Sequence, residues 1–332
     1  PWDHFNKEGT DAIRWYMTSQ SAPWNPMNFD PNGVRETYAK MFLTLWNVHK
    51  FHLDYAILDN FDYSKDFIPV DKRNALDRWI LSRVSSVAEN YHDQYVSWEF
   101  HKAARELENF VINDLSNWYV RRSRRRLWDE AESHDKRACQ FTLHEVLLAV
   151  SKLMAPIAPF MPDKIHFDLT GTSVHTADWP LGSDLVDKNL PPQDLGLEKE
   201  MSIVRMLAET GRKIRVEAKR RQRLPCKEGW IVGGPDLSEF HSIIAEELNV
   251  ENLTTENNLD RFQKIEVLPN HKVLGAKCRA DLPKVLSELS QLDPDSLLSD
   301  IEKGTAKLAG FEITSEDINI KRAEKEGYAA ST

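Results

Sequence analysis

Apolar residues recur three or four positions apart over much of the first half of the chain, which is the spacing of amphipathic helices. This pattern covers residues 34–55, 73–95 and 137–154. A further helix is expected to begin after Ser97, whose hydroxyl is a suitable N-cap, and to end in a run of arginines. Four such helices, separated by polar turns, predict an antiparallel helical bundle.

Two other segments flank these helices. Residues 1–33 predict a helix followed by a loop rich in proline and asparagine, and Trp15, Tyr16 and Trp24 within them are expected to pack in a core. Prolines interrupt the helical pattern at residues 155–162, because proline lacks an amide donor and restricts the residue before it. A short helix is expected directly after these prolines.

The second half of the chain has a different pattern. Residues 181–197 contain two glycines and two prolines and predict a linker. A helix is expected from Glu198 to about Arg221, and the shorter elements after it alternate between strands and helices. The expected strands lie at 230–232, 252–255, 264–268, 311–313 and 318–320, and the expected helices at 237–248, 282–292 and 296–302. The predicted fold class is mainly α, an antiparallel helical bundle followed by a smaller α+β domain.

Charge is distributed unevenly along the chain. The formal net charge of -9 at pH 7 argues against a uniformly basic surface. Residues 199–223, however, contain nine Lys/Arg against three Asp/Glu, whereas residues 236–332 contain eleven against nineteen. This distribution is typical of a protein that binds RNA along one face and leaves the rest solvated.

The strongest local charge lies at the end of the third helix of the bundle, where five arginines occur among the six residues from Arg121 to Arg126. Guanidinium groups match phosphate oxygens, and aromatic rings such as Tyr119 and its tryptophan neighbours can stack on unpaired bases. The alternative is a solvated basic helix end, which the helix dipole favours without any ligand. The candidate RNA-binding residues of this segment are Trp118, Arg121, Arg122, Arg124, Arg125, Arg126 and Trp128.

A second basic segment follows the predicted linker. Seven of the twelve residues from 212 to 223 are basic, and they lie near the end of a predicted helix. This segment is a second candidate for RNA contact, although a solvated helix face is the alternative for each side chain. The candidate residues are Arg212, Lys213, Arg215, Lys219, Arg220, Arg221 and Arg223.

The sequence gives little support for a metal site or a catalytic centre. Its three cysteines are far apart and lack metal-ligand spacing. The histidines that invite a catalytic role, His144, His166 and His175, each lack a spaced partner for metal or nucleophile chemistry. No apolar run approaches the length of a membrane-spanning helix, so we expect a cytoplasmic protein that binds no metal and no membrane.

Two motifs in the bundle resemble a known family. The sequence Leu-Asp-Arg-Trp-Ile-Leu-Ser-Arg at residues 76–83 is similar to a theme shared by isoleucine, valine and leucine enzymes of the class I aminoacyl-tRNA synthetases. The sequence Ser-Asn-Trp-Tyr-Val-Arg-Arg-Ser-Arg-Arg-Arg at residues 116–126 resembles the isoleucyl-tRNA synthetases in particular. Residues 152–161 and 173–180 are similar to further landmarks of the same family.

This resemblance implies a domain organisation. Residues 1–71 would be the end of the catalytic core with its connecting helices, residues 72–180 the anticodon-binding bundle, and residues 181–197 a linker. Residues 198–332 would form a basic helix and a C-terminal α+β domain. Because neither a His-Ile-Gly-His nor a Lys-Met-Ser-Lys-Ser signature occurs, the chain is expected to be an inactive fragment without catalytic residues.

The resemblance also implies a function. The full-length enzyme would use ATP and magnesium to activate isoleucine and transfer it to its tRNA, whereas this part would need no cofactor and would bind the isoleucine tRNA as a monomer. The same region of a valyl- or leucyl-tRNA synthetase is one alternative. A basic helical scaffold that binds acidic protein partners is another.

Overall fold

The computed structural model describes residues 2–65, 67–129, 131, 133–180, 193–257, 262–292, 296–297, 300–301, 306–324 and 329. The chain divides into two compact units, Pro1–Ser202 and Ile203–Thr332. The division falls inside a helix, whereas most of the predicted linker, residues 181–192, lies outside the described residues.

The first unit is built of helices. Their bounds are α1 Trp2–Glu8, α2 Thr10–Ser19, α3 Pro31–Thr37, α4 Leu43–Leu58, α5 Ala75–Val96, α6 Phe100–Asn109, α7 Arg121–Trp128, α8 His134–Met154, α9 Phe160–Thr170 and the start of α10 Leu195–Glu217. Wider π-helical turns at Tyr38–Phe42 and Phe110–Val120 connect α3 to α4 and α6 to α7, and single 3-10 turns lie at Val70–Lys72 and Val174–Thr176. The predicted helical bundle is confirmed.

The centre of this bundle is the packing of α5 against α6 and α8. Helix α5 begins at the N-cap Asn74, whose side chain accepts a hydrogen bond from the amide of Asp77, and α8 begins at Ser133, which caps it in the same way. Trp79 of α5 and Phe141 of α8 are both buried, and Phe141 packs against Phe61 and Tyr63 in the loop that follows α4. The first turns of α10 are tied to α5 through Glu198, which accepts hydrogen bonds from two α5 serines at 2.6 and 2.7 Å.

Two local sequence predictions in this unit were wrong. Ser97 does not cap the start of α6, because α5 extends to Val96 and the Ser97 amide closes it by donating to the Asp93 carbonyl at 3.0 Å. Trp24 is 68% exposed; it lies in the loop beyond α2, and its ring forms a T-shaped contact with that of His101. Trp15 and Tyr16 are buried as predicted.

The close packing of the first helices makes one glycine essential. A Cβ atom on Gly33 in α3 would lie 2.4 Å from Cε2 of Tyr16, and the Tyr16 hydroxyl accepts a hydrogen bond from the Asp30 amide. We expect Gly33→Ala to destabilise the fold by about 1–3 kcal/mol because the ring must move. The matched change Gly275→Ala, at a helical glycine with nothing within 4 Å, should stabilise by up to about 1 kcal/mol; urea unfolding curves test both, and equal effects would contradict the prediction.

A buried histidine should make the first unit sensitive to acid. His52 is 1% exposed, and its ring meets those of Phe61 and His144. Burial, together with the positive charges that His144 and His49 would carry, lowers the pKa of His52 well below its ordinary value. The unfolded chain therefore binds a proton near pH 6.5 that the folded chain does not.

Stability should accordingly fall as the pH drops below about 6.5, with a contribution from His52 of up to about 1.4 kcal/mol per pH unit. The variant His52→Phe should flatten this slope in urea unfolding measured between pH 5 and 8. The matched variant His134→Gln, at an exposed histidine, should leave it unchanged. An unchanged slope in His52→Phe would show that this residue does not carry the effect.

The second unit combines strands and helices around its own core. Its elements after α10 are β1 Cys226–Val232, α11 His241–Leu248, β2 Val250–Glu256, β3 Gln263–Pro269, α12 His271–Cys278, α13 Leu282–Gln291, β4 Lys307–Leu308, β5 Phe311–Glu312 and β6 Ile318–Glu324. Strand β1 pairs with β2 in parallel, while β3 with β6 and β4 with β5 are antiparallel pairs. The predicted strands are confirmed; α12 and β4 were not predicted. The expected helix at 296–302 lies partly outside the described residues.

Two kinds of feature were not found in the described part of the chain. None of its helices is long and apolar enough to cross a membrane. It also contains no group of three or more His, Cys, Asp or Glu side chains arranged to hold a metal ion.

Candidate nucleic-acid interface

The arginine cluster lies at the end of one long helical rod that runs from Phe100 to Trp128. Helix α6 forms its first part, the π-helical stretch Phe110–Val120 its middle, and α7 its last two turns. We call the middle part the π segment. Its side chains Val111 and Leu115 are buried in the bundle, so one side of this helical stretch is packed against the bundle up to the start of α7.

A buried acid orients the arginine-rich end of this rod. Asp77, in the first turn of α5, is fully buried and receives both terminal nitrogens of Arg126 at 2.7 and 2.8 Å. Tyr119 donates its hydroxyl proton to the same carboxylate at 2.5 Å. Burial, followed by the charge of Asp77, raises the pKa of Tyr119 far above its ordinary value, so the hydroxyl remains a donor. We call Asp77, Tyr119 and Arg126 the Asp77 cluster.

Further contacts strengthen the same junction. Arg126 also binds Asp135 at the start of α8, with Nε 2.6 Å from one carboxylate oxygen. Arg83 of α5 contacts Asp114 of the π segment at 3.2 Å. The two sequence motifs that carried the family resemblance are thus joined directly to each other, which gives both a structural role.

Helix α7 has a buried face and a solvent-exposed face, and most of its arginines lie on the exposed one. Ser123 and Leu127 point into the bundle and are 0% and 1% exposed, whereas one face of the helix is open to solvent. Positions i, i+3, i+4 and i+7 lie together on such a face. The residues at these positions are Arg121, Arg124, Arg125 and Trp128, all exposed. We call this face the arginine stripe.

The structure corrects the expectation that Trp118 and Tyr119 are stacking surfaces. Trp118 is 4% exposed and Tyr119 is fully buried. The guanidinium carbons of Arg121 and Arg122 lie 5.8 and 5.6 Å from the Trp118 ring centre, so the indole supports these arginines from below. Of the aromatic residues proposed to stack on bases, Trp128 has an accessible ring, with 57% of its surface exposed.

The second basic segment also contains internal and exposed members. Arg212 pairs with Glu247 at 2.8 Å, and Lys213 pairs with Glu209 one helical turn earlier at 3.1 Å. Arg215 is 7% exposed and is bonded within the protein. Lys213 is exposed despite its ion pair, and the other exposed members are Lys219, Arg220, Arg221 and Arg223. This segment belongs to the second unit, whereas the arginine stripe belongs to the first.

The comparisons with known proteins agree with this architecture. The family model for the anticodon-binding domain of tRNA ligase matches residues 77–229, a range that holds the arginine stripe and the second basic segment. Residues 77–229 are therefore similar to the anticodon-binding domains of tRNA ligases. Over its whole length the chain is similar to isoleucine–tRNA ligases.

Two curated relatives show the extent of this similarity. The chain is 33% identical to isoleucine–tRNA ligase 2 of Bacillus cereus over 100% of its length and 32% of the relative. It is 34% identical to the isoleucine–tRNA ligase of Clostridium acetobutylicum over 99% of its length and 32% of the relative. The chain thus spans about a third of the length of these relatives.

A solved structure also aligns with part of the chain. It is a ternary complex of LeuRS with tRNA and LeuAMS from Agrobacterium radiobacter K84. The alignment covers 58% of this chain and 21% of that chain, with a TM-score of 0.43 and 16% sequence identity.

Proposed function

We propose that this chain is the tRNA-binding, anticodon-recognising part of an isoleucine–tRNA ligase. The observation that carries this proposal is the arginine stripe, which lies within the matched anticodon-binding domain and exposes three guanidinium groups on one face of α7. The relatives that match the whole chain are isoleucine enzymes, which favours isoleucine over the valine and leucine alternatives.

The stripe would bind RNA in two ways. Arg121, Arg124 and Arg125 would contact phosphate oxygens of the anticodon stem-loop, which supplies affinity and register but no sequence information. Trp128 would offer its exposed face to an unpaired base. The Asp77 cluster would hold α7 in place, so that the arginines need not be ordered when RNA arrives.

In the full-length enzyme, ATP and magnesium would serve isoleucine activation in domains that this chain does not supply. We therefore expect the chain alone to bind tRNA as a monomer, to need no cofactor and to catalyse no aminoacylation. A cytoplasmic location follows from the role in protein synthesis.

Fluorescence-anisotropy titration of the chain with an isoleucine tRNA, a valine tRNA and an unrelated RNA hairpin tests the proposal, at several salt concentrations. The expected result is tighter binding to the isoleucine tRNA together with strong salt dependence, because phosphate contacts release counterions. Equal binding to all three RNAs would place anticodon recognition outside this chain. Absence of binding would overturn the proposal in favour of a scaffold that pairs with acidic proteins.

A further inference from the structure

We infer that the exposed loop of residues 219–225, which we call the basic hook, is a second site for RNA phosphates and that buried Arg215 is its positioning residue. The inference rests on the proposed function, since the ligand is the backbone of the same tRNA. Residues that form one continuous basic segment in the sequence would therefore have two different roles. Arg215 shapes the loop, and four other cations contact RNA.

The hook starts with a defined reversal of α10. The amide of Lys219 donates to the carbonyl of Val216 at 3.0 Å, and the amide of Arg220 donates to that of Arg215 at 2.7 Å. These two bonds form a Schellman motif, in which the residue after the helix adopts the left-handed conformation. Glycine usually occupies this position, but here Lys219 does, with φ of 53°. The chain thus keeps a cation where a residue without a side chain would fit with less strain.

Arg215 fills the inner side of the loop. One terminal nitrogen of its guanidinium donates to the backbone carbonyls of Arg221, Gln222 and Leu224. The other lies 2.6 Å from the sulfur of Cys226, at the start of β1. Because three backbone carbonyls of the loop accept hydrogen bonds from the same buried guanidinium, the loop backbone curves around Arg215.

The far side of the hook is fastened to the end of α11. The side-chain amide of Gln222 donates to the backbone carbonyl of Glu247 at 2.6 Å, and the backbone carbonyl of Gln222 accepts from the side-chain amide of Asn249 at 3.2 Å. Gln222 is the one uncharged residue from Lys219 to Arg223. The neutral member therefore anchors the loop, while the charged members remain exposed.

This arrangement suits a phosphate backbone. Four cations within five residues are exposed on a loop whose backbone is already held in place: Lys219, Arg220, Arg221 and Arg223. A preformed loop binds without the cost of ordering a flexible one. Cation–phosphate contacts do not depend on base sequence, so the hook would add affinity to the arginine stripe without adding anticodon selectivity.

The variant Lys219→Gly separates binding from folding. Glycine should keep or raise the melting temperature, because it suits the left-handed position. Affinity for an isoleucine tRNA transcript should nevertheless fall about threefold to tenfold, with a salt slope smaller by about 0.7–0.9 if one phosphate contact is lost. Unchanged affinity and slope would remove Lys219 from the site.

A double-mutant cycle tests the role of Arg215. In the full chain, R220Q/R221Q/R223Q should lower the salt slope by about 2–3, and Arg215→Met should weaken binding to a similar extent. Adding Arg215→Met to the triple variant should cause almost no further loss, because a positioning residue acts only through the groups it positions. A full further loss would show that Arg215 acts independently of the hook.

Matched controls separate this inference from the proposed function. The variant K284Q/K307Q removes two exposed cations elsewhere in the second unit and should leave tRNA affinity unchanged. If stripe variants weaken binding while the triple hook variant does not, the hook inference fails and the proposed function stands. If the unsubstituted chain does not bind the transcript, both fail.

Discussion

Replacing Arg124 and Arg125 together by glutamine should weaken tRNA binding by about 10- to 100-fold, the range expected when charge-assisted hydrogen bonds are lost. Both side chains are exposed on the same face of α7, and their removal leaves the Asp77 cluster intact. The salt slope should fall by about 1.4–1.8, because each lost phosphate contact removes about 0.7–0.9. Anisotropy titration at several salt concentrations measures both quantities.

The control for this variant keeps the change in net charge and moves it elsewhere. K284Q/K307Q removes the same number of positive charges from exposed positions in the second unit. It should alter neither affinity nor slope beyond a small general effect. Surface substitutions of this type change stability by about 0.5 kcal/mol at most, so melting temperatures should agree. If R124Q/R125Q and its control have the same effect, the stripe does not contact phosphate.

The largest effect on stability should come from Asp77→Ala. This change leaves the Arg126 guanidinium, which is 14% exposed, without its bidentate partner. It also deprives the Tyr119 hydroxyl of its carboxylate acceptor and leaves it the weaker Cys139 sulfur at 3.6 Å. Removing one partner of a buried ion pair costs about 3–5 kcal/mol, and the lower end of this range applies here because Arg126 keeps its bonds to Asp135. We expect a loss of that size in the free energy of unfolding of the first unit.

Tryptophan fluorescence can isolate this unit during urea unfolding. Nine of the ten tryptophans lie in it, since Trp230 alone falls in the second unit. Glu36→Ala provides the control, because it breaks an ion pair with Lys40 in which both side chains are about two-thirds exposed. Such a pair contributes at most about 1 kcal/mol. A loss below that value for Asp77→Ala would show that Asp135 and water compensate the Arg126 charge without Asp77.

Local patterns predicted the helices well. The expected helix at 73–95 is α5, Ala75–Val96, and that at 137–154 is α8, His134–Met154. Helical periodicity is a property of neighbouring residues, so a single sequence displays it directly. By contrast, α12 has eight residues, too few to show that periodicity, and it is stabilised by packing Leu274 and Cys278 into the core of the second unit.

The sequence predicts only in part which arginines are exposed and which form bonds within the protein. The spacing of Arg121, Arg124, Arg125 and Trp128 on one helical face is visible in the sequence and could have identified the stripe. The internal role of Arg126 is not visible there, because its partner Asp77 lies 49 residues away. The burial of Trp118 likewise depends on the packing of the whole bundle.

The π segment has a consequence for transferring this surface to another protein. Each of its turns closes one residue later than an α-turn, so a regular α-helix over the same eleven residues would rotate the following helix by roughly half a turn. The π segment, which precedes the arginines in the sequence, therefore determines the direction in which the arginine stripe points. Grafting residues 121–128 onto an ordinary helix would copy the ligands but lose their orientation, whereas a graft that begins at Phe100 would carry both.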